Sequence, residues 1–271
     1  MSTLSESKYQ VGVIGVGVMG EALLAGLVSA GFPKAAISFA EKRTERADEI
    51  KGKYGATHLE LDELLGKSDV VLLVVKPQDL GDLLTNYGAK FKSGALVLSF
   101  AAGKNTKFIS SHLNPDISVI RVMPNTPTLI SKGMAAISAG PNTSNEQLAF
   151  VSGFLEACGK VITVDESLQD AVTAVSGSGP AYIFAFAEEM IAAAIALGLS
   201  EEDASTLTIQ TIVGAAGMLD ESGLTPTKLR ENVTSPNGTT AAALAKFSEG
   251  QLGDLISKAM KAAKDRSAEL A

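Results

Sequence analysis

Between residues 15 and 20 the chain reads Gly15-Val16-Gly17-Val18-Met19-Gly20, three glycines spaced as an anion-binding turn requires. A short apolar run leads into the segment and a helical pattern follows it, and that context gives the pattern its weight. Gly15 permits a tight turn, Gly17 lets backbone N–H groups approach a pyrophosphate, and Gly20 lets helix and strand pack closely. The start of the helix adds unpaired donors and partial positive charge, which suits a diphosphate even in an acidic chain. A glycine-rich turn without a ligand is the bland alternative. Roughly twenty residues further on, Glu41 closes the second apolar run, where a carboxylate accepts from adenosine ribose hydroxyls and favours NAD. Lys42 and Arg43 follow at once and could instead hold a 2′-phosphate, or simply start a solvated helix. The residues therefore support both NADH and NADPH. Val74, Val75, Lys76 and Pro77 close a later run, and Phe100, Ala101, Ala102 and Gly103 close the next. Ligands of open α/β sheets lie beyond the carboxyl ends of the strands, so both segments are expected over the cofactor. Small residues there leave space for a flat ring, although Lys76 reads equally as an exposed turn lysine.

The remaining chemistry is narrowed by what the chain holds little of. His58 and His112 are its two histidines and stand far apart without companion cysteines, so no metal site is expected and an acid or base must come from elsewhere. Cys158 is the single cysteine, which rules out an intrachain disulfide and reads as a small buried hydrophobe. A net charge of −7 argues against nucleic acid or an anionic membrane surface as the main partner, because both need clustered Lys and Arg. The opening MSTLSESK is polar and without an apolar centre, so neither a signal nor an N-terminal anchor is expected. Runs such as Val70–Val75 are far shorter than the ~20 residues that span a bilayer. A soluble, cytoplasmic protein is the expectation.

Short β-rich runs at 9–14, 36–40, 69–75, 95–99 and 117–122 alternate with helical patterns at 18–30, 44–54, 77–89 and 104–113. Strand and helix in repetition predict a parallel, doubly wound sheet of the α/β class with helices on both faces. Further strands at 134–139 and 160–164, flanking a helix at 144–157, would extend it. After about Glu166 the sequence turns Ala-rich with helical period to its end, which predicts an all-helical second domain. The boundaries are thus 1–165 for a dinucleotide-binding domain and 166–271 for a helical one, a division in keeping with 271 residues. Ser200 with Asp203 marks a helix start, and 184–199 is apolar on more than one face, making it a candidate subunit interface.

Four blocks in order carry a resemblance: Val75-Lys76-Pro77; Arg121-Val-Met-Pro-Asn-Thr-Pro127; Ser176-Gly-Ser-Gly-Pro-Ala-Tyr182; and Thr234-Ser-Pro-Asn-Gly-Thr-Thr240. Together they resemble pyrroline-5-carboxylate reductase over nearly the whole chain, from about Val11 to Glu269. The resemblance implies an N-terminal Rossmann-type domain, a helical domain that dimerises by interleaving helices, an active site where the two meet, and dimers that assemble into a ring. It implies reduction of the cyclic imine of 1-pyrroline-5-carboxylate by NADPH or NADH to L-proline. By motif, the substrate carboxylate meets Ser235, Gly238, Thr239 and Thr240 at the start of a helix. Glu166 and Asn232 match positions that line the same pocket, and Thr240 matches a hydroxyl near the imine nitrogen, where a proton donor is required. Thr239 and Thr240 as plain helix caps, and Glu166 as a surface turn residue, are the bland readings. Two departures stand out. Asn237 replaces the first glycine of Ser-Pro-Gly-Gly, a change that Asn tolerates because it enters left-handed backbone angles readily. Leu61 falls where many members carry an Asn that contacts the cofactor.

Two other readings compete. A reductase of the β-hydroxyacid dehydrogenase type would need a catalytic Lys on a helix at the domain junction, yet no Lys occurs between Lys160 and Lys228. A non-catalytic dinucleotide-binding protein would tolerate a damaged substrate turn, yet Ser235, Thr239 and Thr240 are all present.

Overall fold

A computed structural model of the chain describes residues 7–270, so most of the polar opening segment, and with it the leader question, lies outside the described residues. The sheet has eight strands: β1 (Val11–Ile14), β2 (Ile37–Ala40), β3 (Thr57–His58), β4 (Val70–Leu73), β5 (Leu96–Ser99), β6 (Ser118–Met123), β7 (Gly133–Ala139) and β8 (Gly159–Thr163). Their spatial order is 3-2-1-4-5-6-7-8, with every neighbouring pair parallel except β6 and β7. The four residues of β1, β4 and β5 are each buried throughout. A strand buried on both faces needs a helical layer on each side.

Those layers come from α1 (Val18–Ser29), α2 (Thr44–Tyr54), α3 (Leu61–Lys67), α4 (Pro77–Tyr87), α5 (Thr106–Ser110) and α6 (Asn145–Glu156). Alternate strand residues part between two cores. Val70 and Leu72 join Leu23, Leu24, Ile50 and Phe154, while Val71 and Leu73 join Leu64, Leu80, Leu84 and Ile109. Each such buried aliphatic side chain contributes about 1.5–3 kcal/mol. This is the doubly wound sheet expected from the sequence. Ser144 starts α6 in a reciprocal pair with Gln147, each side chain accepting from the other's backbone N–H.

Three features depart from the sequence expectation. β3 and α3 are extra, and β7 runs antiparallel. Only a tight 3₁₀ stretch, Thr126–Ile130, joins β6 to β7, and a connection without a crossover helix returns the chain in the opposite direction.

From Glu166 the chain is helical: α7 (Gln169–Val172), a π-helical stretch Thr173–Gly177, α8 (Gly179–Ala196), α9 (Glu201–Glu221), α10 (Pro226–Asn232), α11 (Thr239–Glu249) and α12 (Leu252–Glu269). The chain parts into two compact units, one holding the described residues up to Ser178 together with the segment from Ala263, the other holding Gly179–Ala262. In the second unit Ser200 caps α9, its Oγ accepting from Asp203 N–H and donating to the Asp203 carboxylate. The stretch Glu166–Ala196 is long and apolar enough to cross a bilayer by length and composition, unlike the short runs that the strands present.

Candidate active site

β1 lies between β2 and β4, so successive connections leave it in opposite directions and a crevice opens beyond its carboxyl end. The glycine turn sits there. Gly15 has φ +88, and a Cβ on it would lie 2.7 Å from the Val74 carbonyl oxygen. A Cβ on Gly20 would fall onto the Gly15 carbonyl oxygen. Around Gly17, by contrast, nothing stands within 4 Å of such a Cβ, and Gly17 begins α1 with no side chain capping the helix. Two of the glycines thus serve close packing, while the third faces open space beside uncapped N–H groups. Val16 is buried, Val18 is exposed and Met19 is half-buried beside the core.

The turn is braced by residues that the motif did not reveal. Arg46 Nε donates to the Val16 carbonyl at 2.9 Å, and its Nη2 pairs with Glu21 in the first turn of α1. Glu21 also accepts from Lys53 Nζ at 2.7 Å and Tyr54 Oη at 2.8 Å. Burial pushes the Glu21 carboxyl up, but the hydrogen bonds from Lys53, Arg46 and Tyr54 and the Arg46 charge outweigh it and bring it down to about 2. The motif gives Glu21 only as the residue after the last glycine; its partners lie 25 to 33 positions away.

At the end of β2, Glu41 is held by Arg43: Nε to Oε1 at 3.0 Å and Nη2 to Oε2 at 3.2 Å, a two-pronged pair. That fork holds the carboxyl below its ordinary range. Arg43 is exposed, as is Lys42. His58 Nε2 lies 3.2 Å from the Glu41 carbonyl and its ring stacks on Phe39. Leu61 opens α3 and packs against the core. Lys76 is exposed and precedes Pro77, the first residue of α4. Val74, Val75, Phe100 and Ala102 are half-buried and Ala101 is buried, all at the same sheet edge as the glycine turn.

Two of the motif blocks meet. Asn125 Nδ2 donates to Ser176 Oγ at 3.3 Å, and Asn125 Oδ1 accepts from the Met134 N–H at 2.8 Å. Ser176 lies in the π-helical stretch, a local widening that recurs at functional sites. Glu166 is no free turn residue. It accepts from both the N–H and the Oγ1 of Thr106, each at 2.7 Å, with Arg121 Nη1 at 4.0 Å.

In the second unit, Ser235-Pro236-Asn237-Gly238 closes a turn by the bond from Gly238 N–H to the Ser235 carbonyl at 3.0 Å. Asn237 has φ +58, the left-handed conformation this position demands, and a Cβ on Gly238 would strike the Ser235 hydroxyl. Gly238 begins α11, and no side chain caps it. Thr239 and Thr240 are the first two helical residues rather than its cap, so the bland reading of them as caps fails. Thr239 is exposed and Thr240 half-buried, while Asn232 and Ser235 are exposed.

Cys158 is buried against Gly26, and burial pushes its thiol up to about 11, as a packing residue requires. Among the described residues no group of three His, Cys, Asp or Glu could hold a metal ion.

A doubly wound sheet with a glycine turn at its switch point and an acidic residue ending β2 defines a dinucleotide-dependent oxidoreductase of the Rossmann class. Residues 166–270 match the family model described as pyrroline-5-carboxylate reductase dimerisation, and residues 10–103 match that of NADP oxidoreductase coenzyme F420-dependent. A pyrroline-5-carboxylate reductase from Pseudomonas aeruginosa is 39% identical over 267 residues, 98% of each chain. Among solved structures, one from Coxiella burnetii superposes with TM-score 0.88 at 33% identity, covering 98% of this chain and 99% of that one. A Plasmodium falciparum pyrroline carboxylate reductase with NADP bound gives 0.87 at 27% identity, covering 97% and 98%. The chain belongs to the pyrroline-5-carboxylate reductase family.

Proposed function

We infer that the chain is an NAD(P)H-dependent oxidoreductase that reduces the C=N bond of 1-pyrroline-5-carboxylate to L-proline, the last step of proline biosynthesis. Full-length similarity to reductases of that name carries this reading. The open space at Gly17 beside the uncapped start of α1 fits a diphosphate. When bound, the reduced nicotinamide supplies a hydride to the imine carbon, and the nitrogen ends with one proton more.

The residues divide the work as follows. Gly15, Val16, Gly17, Val18, Met19 and Gly20 cradle the diphosphate; Glu41, Lys42 and Arg43 take the adenosine ribose or its 2′-phosphate; Val74, Val75, Lys76, Pro77, Phe100, Ala101 and Ala102 line the path of the ring. Ser235, Gly238, Thr239 and Thr240 receive the substrate carboxylate, which the turn geometry and the uncapped start of α11 support. Glu166 and Asn232 complete the pocket, and Thr240 or a water it holds relays the proton to nitrogen. The reading further takes 1–165 and 166–271 as the two domains. The dimerisation match indicates a homodimer. A ring of dimers, a cytoplasmic location, and the absence of nucleic-acid and membrane partners belong to the same proposal. A subunit partner on Glu166–Ala196 supplies its apolar faces with cover that needs no bilayer.

The test is dinucleotide oxidation with pyrroline-5-carboxylate, followed with both NADPH and NADH, and proline identified as product. Thr240→Ala should lower kcat about tenfold or more while Thr240→Ser is milder. Lack of turnover with the imine at high enzyme concentration overturns the reading, and equal, small effects at Thr240 assign the proton to water.

A further inference from the structure

The last turn of α12 returns to the first unit and lies on the loop after β5. Gly103, buried in that loop, has φ +76, and a Cβ there would stand 2.8 Å from the Leu270 carbonyl carbon and 2.9 Å from the Ser267 carbonyl oxygen. No other residue type fits this approach. Ser267 is itself 3% exposed, and its Oγ donates to Asp170 Oδ1 at 2.8 Å. The same Asp170 oxygen takes Arg121 Nη2 at 3.5 Å, and Arg121 Nη1 reaches toward Glu166 Oε1 at 4.0 Å. Glu166 in turn holds the N–H and hydroxyl of Thr106, which is 3% exposed. Thr106 stands three residues after Gly103. The contacts therefore close a circuit: loop, C-terminal turn, Asp170, Arg121, Glu166, and back to the loop.

The chemistry of the circuit is unequal. Arg121 is 3% exposed, and a buried cation needs its counter-charges. Its two carboxylates stand at long range, 3.5 and 4.0 Å, so the guanidinium alone does not fix where either one points. The short contacts at the two ends, Ser267 on Asp170 and Thr106 on Glu166, set the orientation. An element far away in sequence is thus linked to the loop after β5 and, through Asp170 and Arg121, to the Glu166 carboxylate.

We propose that Ser267 is a positioning residue: the C-terminal turn straps the Phe100–Gly103 loop and, through Asp170 and Arg121, aims Glu166. This rests on the reading that the loop faces the reduced ring and that Glu166 lines the imine pocket. Loosening the strap leaves the diphosphate cradle untouched and shifts the reacting groups by a fraction of an ångström, which costs turnover rather than cofactor affinity.

The experiment compares full-length wild type, Ser267→Ala, Ser267→Thr, Thr106→Val and the Ser267→Ala/Thr106→Val double variant. It measures kcat and KM with pyrroline-5-carboxylate, and NADPH affinity by direct titration. Ser267→Ala should lower kcat on the order of tenfold with NADPH affinity within about twofold, and Ser267→Thr, which keeps the hydroxyl, should restore most of it. Thr106→Val keeps the backbone donor to Glu166 and should also lower kcat, with the double variant no worse than about the poorer single one, since both cut one circuit. Ser267→Ala with wild-type kcat, or with a lower melting temperature as its sole effect, overturns the strap while leaving the imine reductase reading in place. A fall in kcat that Ser267→Thr does not relieve, or two effects that multiply in the double variant, likewise overturns it. A wild type that does not turn over the imine overturns both.

Discussion

Replacing Gly17 and Gly20 in turn by alanine separates the close packing of the glycine turn from its proposed hold on a diphosphate. At Gly20 the new methyl group would land on the Gly15 carbonyl oxygen, so backbone must move on one side or the other. Overpacking of this kind costs about 1–3 kcal/mol. At about 2–4 °C per kcal/mol for a unit of this size, Gly20→Ala should melt roughly 2–12 °C below wild type. At Gly17 the methyl group meets nothing within 4 Å, and φ −67 suits any residue. Alanine there loses about 0.5–1 kcal/mol of helix-start preference and regains about 0.4–1 kcal/mol from a less flexible unfolded chain. The melting temperature of Gly17→Ala should therefore stay within about 2 °C of wild type. Affinity should behave in the opposite way. On the proposed cradle the methyl group stands where the diphosphate approaches, and one lost charge-assisted hydrogen bond, about 1.5–3 kcal/mol, weakens binding roughly 10- to 150-fold. Calorimetry at matched protein concentration and fluorescence titration with NADPH give both numbers on the same samples. Wild-type affinity in Gly17→Ala refutes the turn as a diphosphate cradle; a wild-type melting temperature in Gly20→Ala refutes the close approach to Gly15.

Glu41→Ser frees the Arg43 fork for a 2′-phosphate, so the ratio of kcat/KM for NADPH to that for NADH should rise several-fold, and an unchanged ratio removes Glu41 from cofactor choice. Glu21 has a folded-state carboxyl depressed to about 2 from 4.5, so its stabilising effect is complete above about pH 4.5 and is lost as pH falls toward 2. The melting-temperature gap between wild type and Glu21→Gln should accordingly be full at pH 7 and close in that acidic window; a gap constant down to pH 2 contradicts the ion cluster. The melting temperature of the wild type should also rise with protomer concentration, because the helical unit needs a partner surface; calorimetry over a hundredfold dilution checks it.

How much of this was legible in the residues follows from range. Helices α6 and α9 carry their own start signals, and β1, β4 and β5 announce themselves as apolar runs because both faces are covered. The β3 strand does not, since Thr57 and His58 are two exposed residues that owe their conformation to pairing with β2. The reversal of β7 was hidden because nothing local in 134–139 records its direction; the short link at 126–130 decides it. The site shows the same limit. The glycine turn and the Ser235–Thr240 turn are runs of consecutive residues and readable, whereas Thr106 on Glu166 and Ser267 on Asp170 join positions 60 and 97 residues apart. The resemblance implies a pocket role for Glu166 but does not show that its carboxylate is already engaged by Thr106.

The helical unit states why association belongs to the fold and not to regulation alone. Within Gly179–Ala262, α8 and α11 have no buried residue, and α9 buries only Ala204 and Thr208 over 21 positions. Phe184, Leu207, Ile209 and Val213 are each more than half exposed in the single chain. Helices apolar on several faces bury too little by themselves to offset their own ordering entropy. Their stability must come from surface supplied from outside the chain, and a match to a dimerisation model over this same stretch identifies a second copy as the supplier. The turn that offers Thr239 and Thr240 opens α11, one of these helices. Its geometry is therefore only as firm as the packing around it, and conditions that separate protomers should loosen the Ser235–Gly238 turn before they disturb the glycine turn, which has a complete core of its own beneath it.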